Sequence, residues 1–291
     1  MSSNLSLVKR DESQDFFCEA LNPMLCAQAG EAGVEIPDLR EDKQLWGLSW
    51  QQSFTYAINL RNQLQVNVPL VLQSKEYTFT TSDGVVFTPP EGYESLFHPD
   101  RTVLGFGDVQ ASAQHYVFLS NIVVGVEGGM RLPTASTKFN EYSLLEFHQP
   151  LGTGTFVPIT RVSVFSRGEK HGVLASVGGQ VPFYENVDGY RTGANANGDM
   201  GYWHRILDDR GIVLGQLSVL HETRDHWYTQ PIPYSNRTFL RSSVMGTYSI
   251  TDTLEGMLRM EILLYRKVWK DEVTNLSVSR TPIFNIGLTW L

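Results

Sequence analysis

Apolar and polar side chains alternate with a period of two along most of the chain from residue 46 onward. In residues 258–264, for example, Leu258, Met260 and Ile262 fall on one side, and Arg259 and Glu261 fall on the other. Such alternation is typical of β-strands, in which successive side chains point to opposite faces. The pattern predicts strands at about 46–60, 62–79, 102–119, 121–133, 155–167, 171–183, 199–210, 211–222, 238–250, 253–268 and 279–291. The chain is therefore expected to be all-β.

The connections between these strands alternate strictly between short and long. Short ones fall near 61, near 120 and at 167–170, 208–211 and 251–253, and long ones fall at 80–101, 134–154, 184–198, 223–237 and 269–278. A β-sandwich has no reason to sort its loops by length in this way. A transmembrane antiparallel up-and-down β-barrel does so, with short periplasmic turns and long extracellular loops. The strands also match the ~9–11 residues that a tilted strand needs to cross a bilayer.

The predicted strands number eleven, whereas single-chain bacterial barrels have even numbers. We therefore expect about twelve strands, the additional one lying within residues 1–45, where "NLSLVKR" is the candidate. The expected organisation is an N-terminal arm or plug at 1–45, with one strand as the alternative, followed by a barrel at 46–291. The closing segment "FNIGLTWL" is expected to pair with the first strand and to present Phe284, Ile286, Leu288 and Trp290 to lipid.

The composition is that of a folded protein and argues against a nucleic-acid partner. Apolar residues make up 42% and charged residues 19%, and the net charge is −8 without a basic stripe. No apolar run approaches the ~18 residues of a membrane-spanning helix. Residues 1–15 lack the apolar stretch of a signal peptide, so we expect the export signal to have been removed. The expected location is the outer membrane of a Gram-negative bacterium, with membrane lipid as a partner.

Strand parity directs charged side chains of both signs toward the lumen of this barrel. The predicted lumen-lining residues are Glu127, Arg131, Arg161, Arg241, Arg259 and Glu261. Because both signs occur, these residues are expected to pair across the lumen rather than to form a filter of one sign. The tryptophans all fall near strand ends, where interfacial girdles of aromatic residues are expected. They are Trp46, Trp50, Trp203, Trp227, Trp269 and Trp290.

Candidate catalytic and metal-binding patterns are weak. The segment "HETRDH" at 221–226 has one residue too many for the zinc motif H-E-x-x-H. Cys18 and Cys26 are candidates for a small disulfide loop, with two unpaired thiols or a metal-binding pair as alternatives. A lipid-modifying barrel enzyme would need a His beside a Ser, and the histidines are scattered. We expect no enzyme activity, no catalytic residues, no metal and no cofactor.

Three segments between residues 104 and 167 resemble a family of outer-membrane barrels named for the meta-pathway of phenol degradation. They are "LGFGDVQASAQHYVF" from residue 104, "VVGVEGGMRLPTAS" from residue 123 and "QPLGTGTFVPITRVSVFSR" from residue 149. Ala135 stands where the family usually has a glycine. The family is similar to the fatty-acid and aromatic-hydrocarbon channels of the outer membrane. The resemblance implies passive, porin-like transport without a cofactor.

The expected function is thus a passive channel for a small, apolar or aromatic solute. Two alternatives from other classes stay open at the level of sequence. One is a lipid-modifying barrel enzyme similar to a phospholipase or a lipid A deacylase. The other is a closed structural barrel that docks a periplasmic protein through the arm containing Cys18 and Cys26.

Overall fold

The computed structural model describes residues 1–16, 39–81, 83–88, 101–135, 152–166, 168–187, 189–207, 210–231, 235–268, 277–278 and 282–290. Its regular structure is entirely β. The strands are β1 (Ser2–Phe16), β2 (Leu39–Asn59), β3 (Asn62–Thr81), β4 (Arg101–Phe106), β5 (Gln110–Leu119), β6 (Ile122–Arg131), β7 (Val157–Ser166), β8 (His171–Gln180), β9 (Tyr190–Arg191), β10 (Asn195–Ile206), β11 (Gly211–Glu222), β12 (His226–Trp227), β13 (Gln230–Pro231), β14 (Arg237–Thr251), β15 (Leu254–Val268), β16 (Ser277–Val278) and β17 (Ile283–Trp290). Within these ranges, no helix is long and apolar enough to cross a membrane.

The strands close into one antiparallel barrel. Successive strands of the main sheet pair with each other, with β9, β12 and β13 set apart in a separate small sheet. β1 pairs on one edge with β2 and on the other with β17. Leu5, for example, lies opposite both Trp50 of β2 and Ile286 of β17. In the described part of the chain the wall has twelve positions, since β4 and β5 share one, as do β16 and β17. The expected closed all-β barrel of about twelve strands is confirmed.

The strand missing from the sequence pattern is β1, which contains the candidate segment "NLSLVKR". It forms part of the wall, and residues 39–45 form the start of β2. The wall therefore begins at Ser2 rather than at residue 46, and only residues 17–38 stand between these two strands. Cys18 and Cys26 lie in that interval, outside the described residues, so their pairing stays a prediction.

The outer face of the barrel is apolar. On β14, the exposed apolar residues are Leu240, Val244, Tyr248 and Ile250. The residues between them are partly or fully buried. The expected lipid-facing set Phe284, Ile286, Leu288 and Trp290 on β17 is likewise exposed. Because each of the twelve wall positions has a paired neighbour on both sides, the backbone polar groups of these ladders are satisfied within the wall. A paired wall with an apolar outer face fits a lipid environment.

The two ends of the barrel differ. Adjacent strands meet in tight turns at one end, such as 60–61, 120–121 and 252–253, and in long connections at the other. β2 and β3 contain 21 and 20 residues, whereas β5 to β8 contain 10 each. Since about 10 residues cross a bilayer, the wall formed by β2 and β3 rises past the membrane at the long-loop end.

Trp203 departs from the expected girdle. Trp46, Trp50 and Trp290 are exposed on the outer face, but Trp203 lies between the exposed Tyr202 and His204 and so faces inward. A Cβ built on Gly172 would lie 2.7 Å from the Trp203 ring, which packs across that glycine. Trp269 and the side chain of Trp227 lie outside the described part of the chain.

Candidate functional site

A cavity of about 430 Å³ lies inside the barrel at the long-loop end. Its wall comes from β2, β3, the β4–β5 junction, β6, β11 and β14, and from the segments 152–153 and 190–195. The lining is mostly polar. The charged residues that line it are Asp108, Arg131, Glu222, Asp225 and Arg237.

Asp108 lies where the wall strand formed by β4 and β5 is interrupted. Asn67 of β3 pairs with Gln110 and Leu70 pairs with Phe106, so the three residues 107–109 oppose only two residues of β3. This arrangement is a β-bulge. Pro69 lies opposite the bulge on β3, a position that tolerates a proline because the regular ladder of hydrogen bonds is interrupted there. The extra residue turns the Asp108 carboxylate away from the regular ladder, where it is buried.

The buried Asp108 carboxylate binds two segments from other parts of the chain. Its Oδ1 accepts a hydrogen bond from the Ala135 amide at 3.1 Å, and its Oδ2 accepts from the Thr153 amide at 2.7 Å and the Thr153 hydroxyl at 2.8 Å. A Cβ on Gly152 would lie 2.5 Å from the Ala135 Cβ and from Asp108 Oδ1, so glycine permits this close approach. The three segments that carry the family resemblance therefore meet at one carboxylate.

A small three-stranded sheet of β9, β12 and β13 lies beside this junction. Asn186, just before β9, donates from its side-chain amide to the Thr153 carbonyl at 3.3 Å. β12 and β13 are joined by Tyr228 and Thr229, both with positive φ (45° and 66°), as in a two-residue hairpin of type I′. The Thr229 amide donates to Glu185 Oε1 at 2.8 Å. These contacts tie the long connections together over the cavity.

Asp225 is the acidic centre of this loop sheet. Its carboxylate accepts hydrogen bonds from the Tyr190 hydroxyl at 3.0 Å and the Gly193 amide at 2.6 Å. Burial raises the pKa of Asp225 above its ordinary value, while those hydrogen bonds and the charge of Arg237 oppose the increase. Burial and the nearby Asp225 carboxylate also raise the pKa of Tyr190, which keeps its hydroxyl a donor.

Below the cavity, polar side chains of the inner face form satisfied networks. Asp199 accepts from the Ser176 hydroxyl at 2.8 Å, the Gln216 amide at 2.8 Å and the Ser218 hydroxyl at 2.6 Å. Arg161 lies 3.6 Å from the same carboxylate. An amide chain on β3 and β5 includes the hydrogen bond from Gln63 to Gln114 at 2.6 Å. Such groups are stable at this position because each one finds a partner.

The structure brings the predicted lumen-lining residues together in two groups. Arg241 and Arg259 each contact Glu261 at 3.1 Å. In the second group, on β6, β7 and β10, Arg161 lies near Asp199. The ladder partner of Arg161 on β6 is Glu127, whose side chain is partly buried. That a solute passes along these residues stays a prediction.

Arg131 belongs to neither group, because it lines the cavity and donates to Gln180. Asp108 is a site residue that the alternation of the sequence does not predict. The sequence feature that could have pointed to Asp108 is a carboxylate directly after a G-x-G motif inside an otherwise apolar strand.

Four histidines of the described ranges have ordinary polar or ring partners, whereas Nδ1 of His226 is buried without a hydrogen-bond partner among the described residues. His221 Nδ1 lies 2.9 Å from the Thr238 hydroxyl, and His115 Nδ1 lies 2.8 Å from Asn62 Oδ1. His171 and His204 stack on the outer face with ring centroids 6.3 Å apart. Among the residues that the structure describes, no group of three or more His, Cys, Asp or Glu side chains is arranged to hold a metal ion.

No protein-family model and no curated protein sequence matches the chain. Among solved structures, it is similar to the COG4313 outer membrane channel from Pseudomonas putida F1, with 10% identity, coverage of 99% of this chain and 94% of that chain, and a TM-score of 0.60. The NanC porin (8% identity, 98% and 100% coverage) and a FadL homologue from Pseudomonas aeruginosa (9% identity, 99% and 90% coverage) each give a TM-score of 0.45. The chain has the fold of bacterial outer-membrane β-barrels, and its apolar outer face suits that membrane.

Proposed function

We propose that the protein is a passive channel for small solutes in the bacterial outer membrane. The observation that carries the proposal is a polar inner face, from Asp199 in the barrel to the cavity at the long-loop end, enclosed by a wall with an apolar outer face. A barrel interior of this kind is typical of water-filled channels. The cavity volume of about 430 Å³ is within the range of sites for small organic molecules.

Within this function we propose aromatic solutes that carry a polar group. The family resemblance implies apolar or aromatic solutes, and the cavity lining includes Arg131, Arg237, Tyr190 and Thr192. A wholly apolar solute would displace water from these polar side chains without replacing its hydrogen bonds, which is unfavourable. Arginine and tyrosine can bind both an aromatic ring and its polar substituent. We also propose membership of the meta-pathway family, supported by the convergence of its three motif segments at Asp108.

The test is solute flux into proteoliposomes that contain the folded barrel. A small sugar, an amino acid and an aromatic acid are compared, and the aromatic acid is expected to enter fastest. A second variant replaces residues 17–38 by Asn-Gly. Since Phe16 and Leu39 are ladder partners, a two-residue hairpin can join β1 to β2.

This replacement is preferable to deleting residues 1–45, which would remove β1 and leave one edge of β2 and one edge of β17 unpaired. Faster flux in the shortened variant would identify residues 17–38 as an obstruction of the channel. No flux in either form, with both shown to be folded by their heat-dependent mobility in gels, would refute the channel proposal.

A further inference from the structure

The inner face of β14 and β15 carries more positive than negative charge. Arg241 and Arg259 share a single carboxylate, since Arg241 contacts Glu261 Oε1 and Arg259 contacts Glu261 Oε2, both at 3.1 Å. Two guanidinium groups and one carboxylate leave a surplus of one positive charge. We call Arg241 and Arg259 the arginine pair.

A second group of charged inner-face residues lies on β6, β7 and β10, two or more strands along the wall from β14, and has no such surplus. Asp199 faces one arginine, Arg161, at 3.6 Å and accepts three further hydrogen bonds from neutral side chains. Glu127 is the ladder partner of Arg161. In the described ranges, therefore, a mobile anion meets one more negative than positive charge at this second group and excess positive charge at the arginine pair.

The arginine pair is held in place but remains accessible. The guanidinium of Arg241 lies 5.2 Å from the centroid of the Phe239 ring, which is buried, so a cation–π contact fixes it on one side. The side chains of Arg241 and Arg259 are 35% and 29% exposed, whereas that of Glu261 is 11% exposed. The carboxylate thus lies deeper than the two cations it joins.

Unused donors remain on the pair. A guanidinium has five N–H groups, and the contact with Glu261 uses one nitrogen of each arginine. The Nε of Arg259 is buried and has no hydrogen-bond partner within the described residues. An unpaired buried donor is costly. Because this nitrogen is closed to solvent, a ligand in the lumen would bind the other N–H groups of the pair.

We propose that the arginine pair is a binding and selectivity site for small organic carboxylates, an inference that rests on the proposed channel function. A carboxylate accepts two parallel N–H bonds from a guanidinium and matches the surplus charge. Arg237 lies four residues before Arg241 and lines the cavity, so a carboxylate can pass from the cavity to the pair along one strand. Aromatic carboxylates combine this chemistry with the aromatic solute class proposed above.

Ion selectivity in planar bilayers tests the site. The reversal potential is measured in a gradient of potassium chloride and then of potassium benzoate, and the wild-type barrel is expected to prefer the anion. The variant Arg241→Gln/Arg259→Gln/Glu261→Gln removes the surplus without leaving Glu261 buried and unpaired. Its anion-to-cation permeability ratio should fall to unity or below. Glu261→Gln alone should raise the ratio, because the surplus grows.

The matched control is Arg61→Gln/Arg210→Gln/Glu169→Gln, which makes the same chemical change at exposed positions in the tight turns. Its permeability ratio should equal that of wild type. A conducting barrel with no anion preference, or a preference that the triple variant retains, would overturn this inference and leave the channel proposal standing.

If folded barrels conduct no ions, the channel proposal fails. Carboxylate binding at the arginine pair is then tested by itself. Benzoate is titrated into the barrel in detergent, and line broadening of its proton NMR signals is measured. Broadening in wild type and the control that is lost in the triple variant would support a carboxylate site at the arginine pair. Equal broadening in all of them, or none in wild type, would overturn it.

Discussion

A single buried carboxylate, Asp108, joins parts of the chain that are far apart in sequence. It satisfies the amides of Ala135 and Thr153, two groups in irregular segments without ladder partners at that point. Charge-assisted hydrogen bonds of this kind are roughly twice as strong as neutral ones. The side chain therefore determines where the connections after β6 and before β7 lie at the edge of the cavity.

Replacement of Asp108 by alanine should release both segments. Removing the acceptor leaves buried donors unsatisfied, at a cost of about 2–4 kcal/mol in local stability. Hydrogen exchange of the Ala135 and Thr153 amides should speed up accordingly. Asp252→Ala, in an exposed tight turn, is the control and should leave those amides unchanged. Wild-type exchange rates in Asp108→Ala would show that the carboxylate does not hold these segments.

Among larger elements, the sheet of β9, β12 and β13 is expected to respond to pH through Asp225. Burial raises the pKa of this carboxyl above its unfolded value of about 3.9. Its contribution to loop stability is therefore fully present below the unfolded pKa and is lost as the pH rises through the folded pKa. The loop sheet should be better protected in acid than at neutral pH.

The measurement is hydrogen exchange of the Tyr190 and Gly193 amides across this pH range, corrected for intrinsic exchange rates. Glu222 and Arg237 also face Asp225, so a variant is needed to isolate its titration. Asp225→Asn should flatten the pH dependence, and Asp83→Asn, in a different and exposed connection, should retain it. A pH dependence that persists in Asp225→Asn would assign the effect to another group.

The strands within the membrane are predictable from sequence, whereas those outside it are not. Leu258, Met260, Ile262 and Leu264 alternate because lipid faces one side of β15, and all four are exposed as expected. The second half of β1 and the start of β2 escape the pattern. Their sequences, "KRDESQDF" and "LREDKQL", lack alternation because a wall beyond the bilayer has water on its outer face.

The candidate site is predictable only in part, for a related reason. Parity within β14 and within β15 places Arg241, Arg259 and Glu261 on the inner face, and both arginines contact Glu261 in the structure. Asp108 acts through segments 27 and 45 residues away, which no local pattern connects. The girdle position expected for Trp203 is wrong. Tyr202 faces outward, so the next residue in the strand, Trp203, has to face inward even though it lies near a strand end.

At the scale of the whole molecule, a charged side chain on the apolar outer face should lower the free energy of unfolding by an amount that depends on its depth in the bilayer. Val244 lies near the middle of β14 on the outer face, and Ile250 lies beside the tight turn. Val244→Lys should destabilise the folded barrel by about 2–4 kcal/mol, and Ile250→Lys by about 0–1 kcal/mol. Urea unfolding in lipid vesicles measures both. Equal costs at the two sites would contradict a bilayer whose centre lies near Val244 and whose edge lies near Ile250.

The pairing of β1 with β17 also has a consequence for the order of assembly. The Met1 ammonium group donates to the Trp290 carbonyl at 2.8 Å, and the Trp290 amide donates to the Met1 carbonyl at 2.7 Å. β1 can form its hairpin with β2 early, but its other edge has to wait for the last strand of the chain. Contacts of such high sequence separation form slowly. Until β1 and β17 pair, the unpaired edge of each strand can pair with another chain. The closure of the barrel between these two strands is therefore the stage at which the protein most needs protection from aggregation.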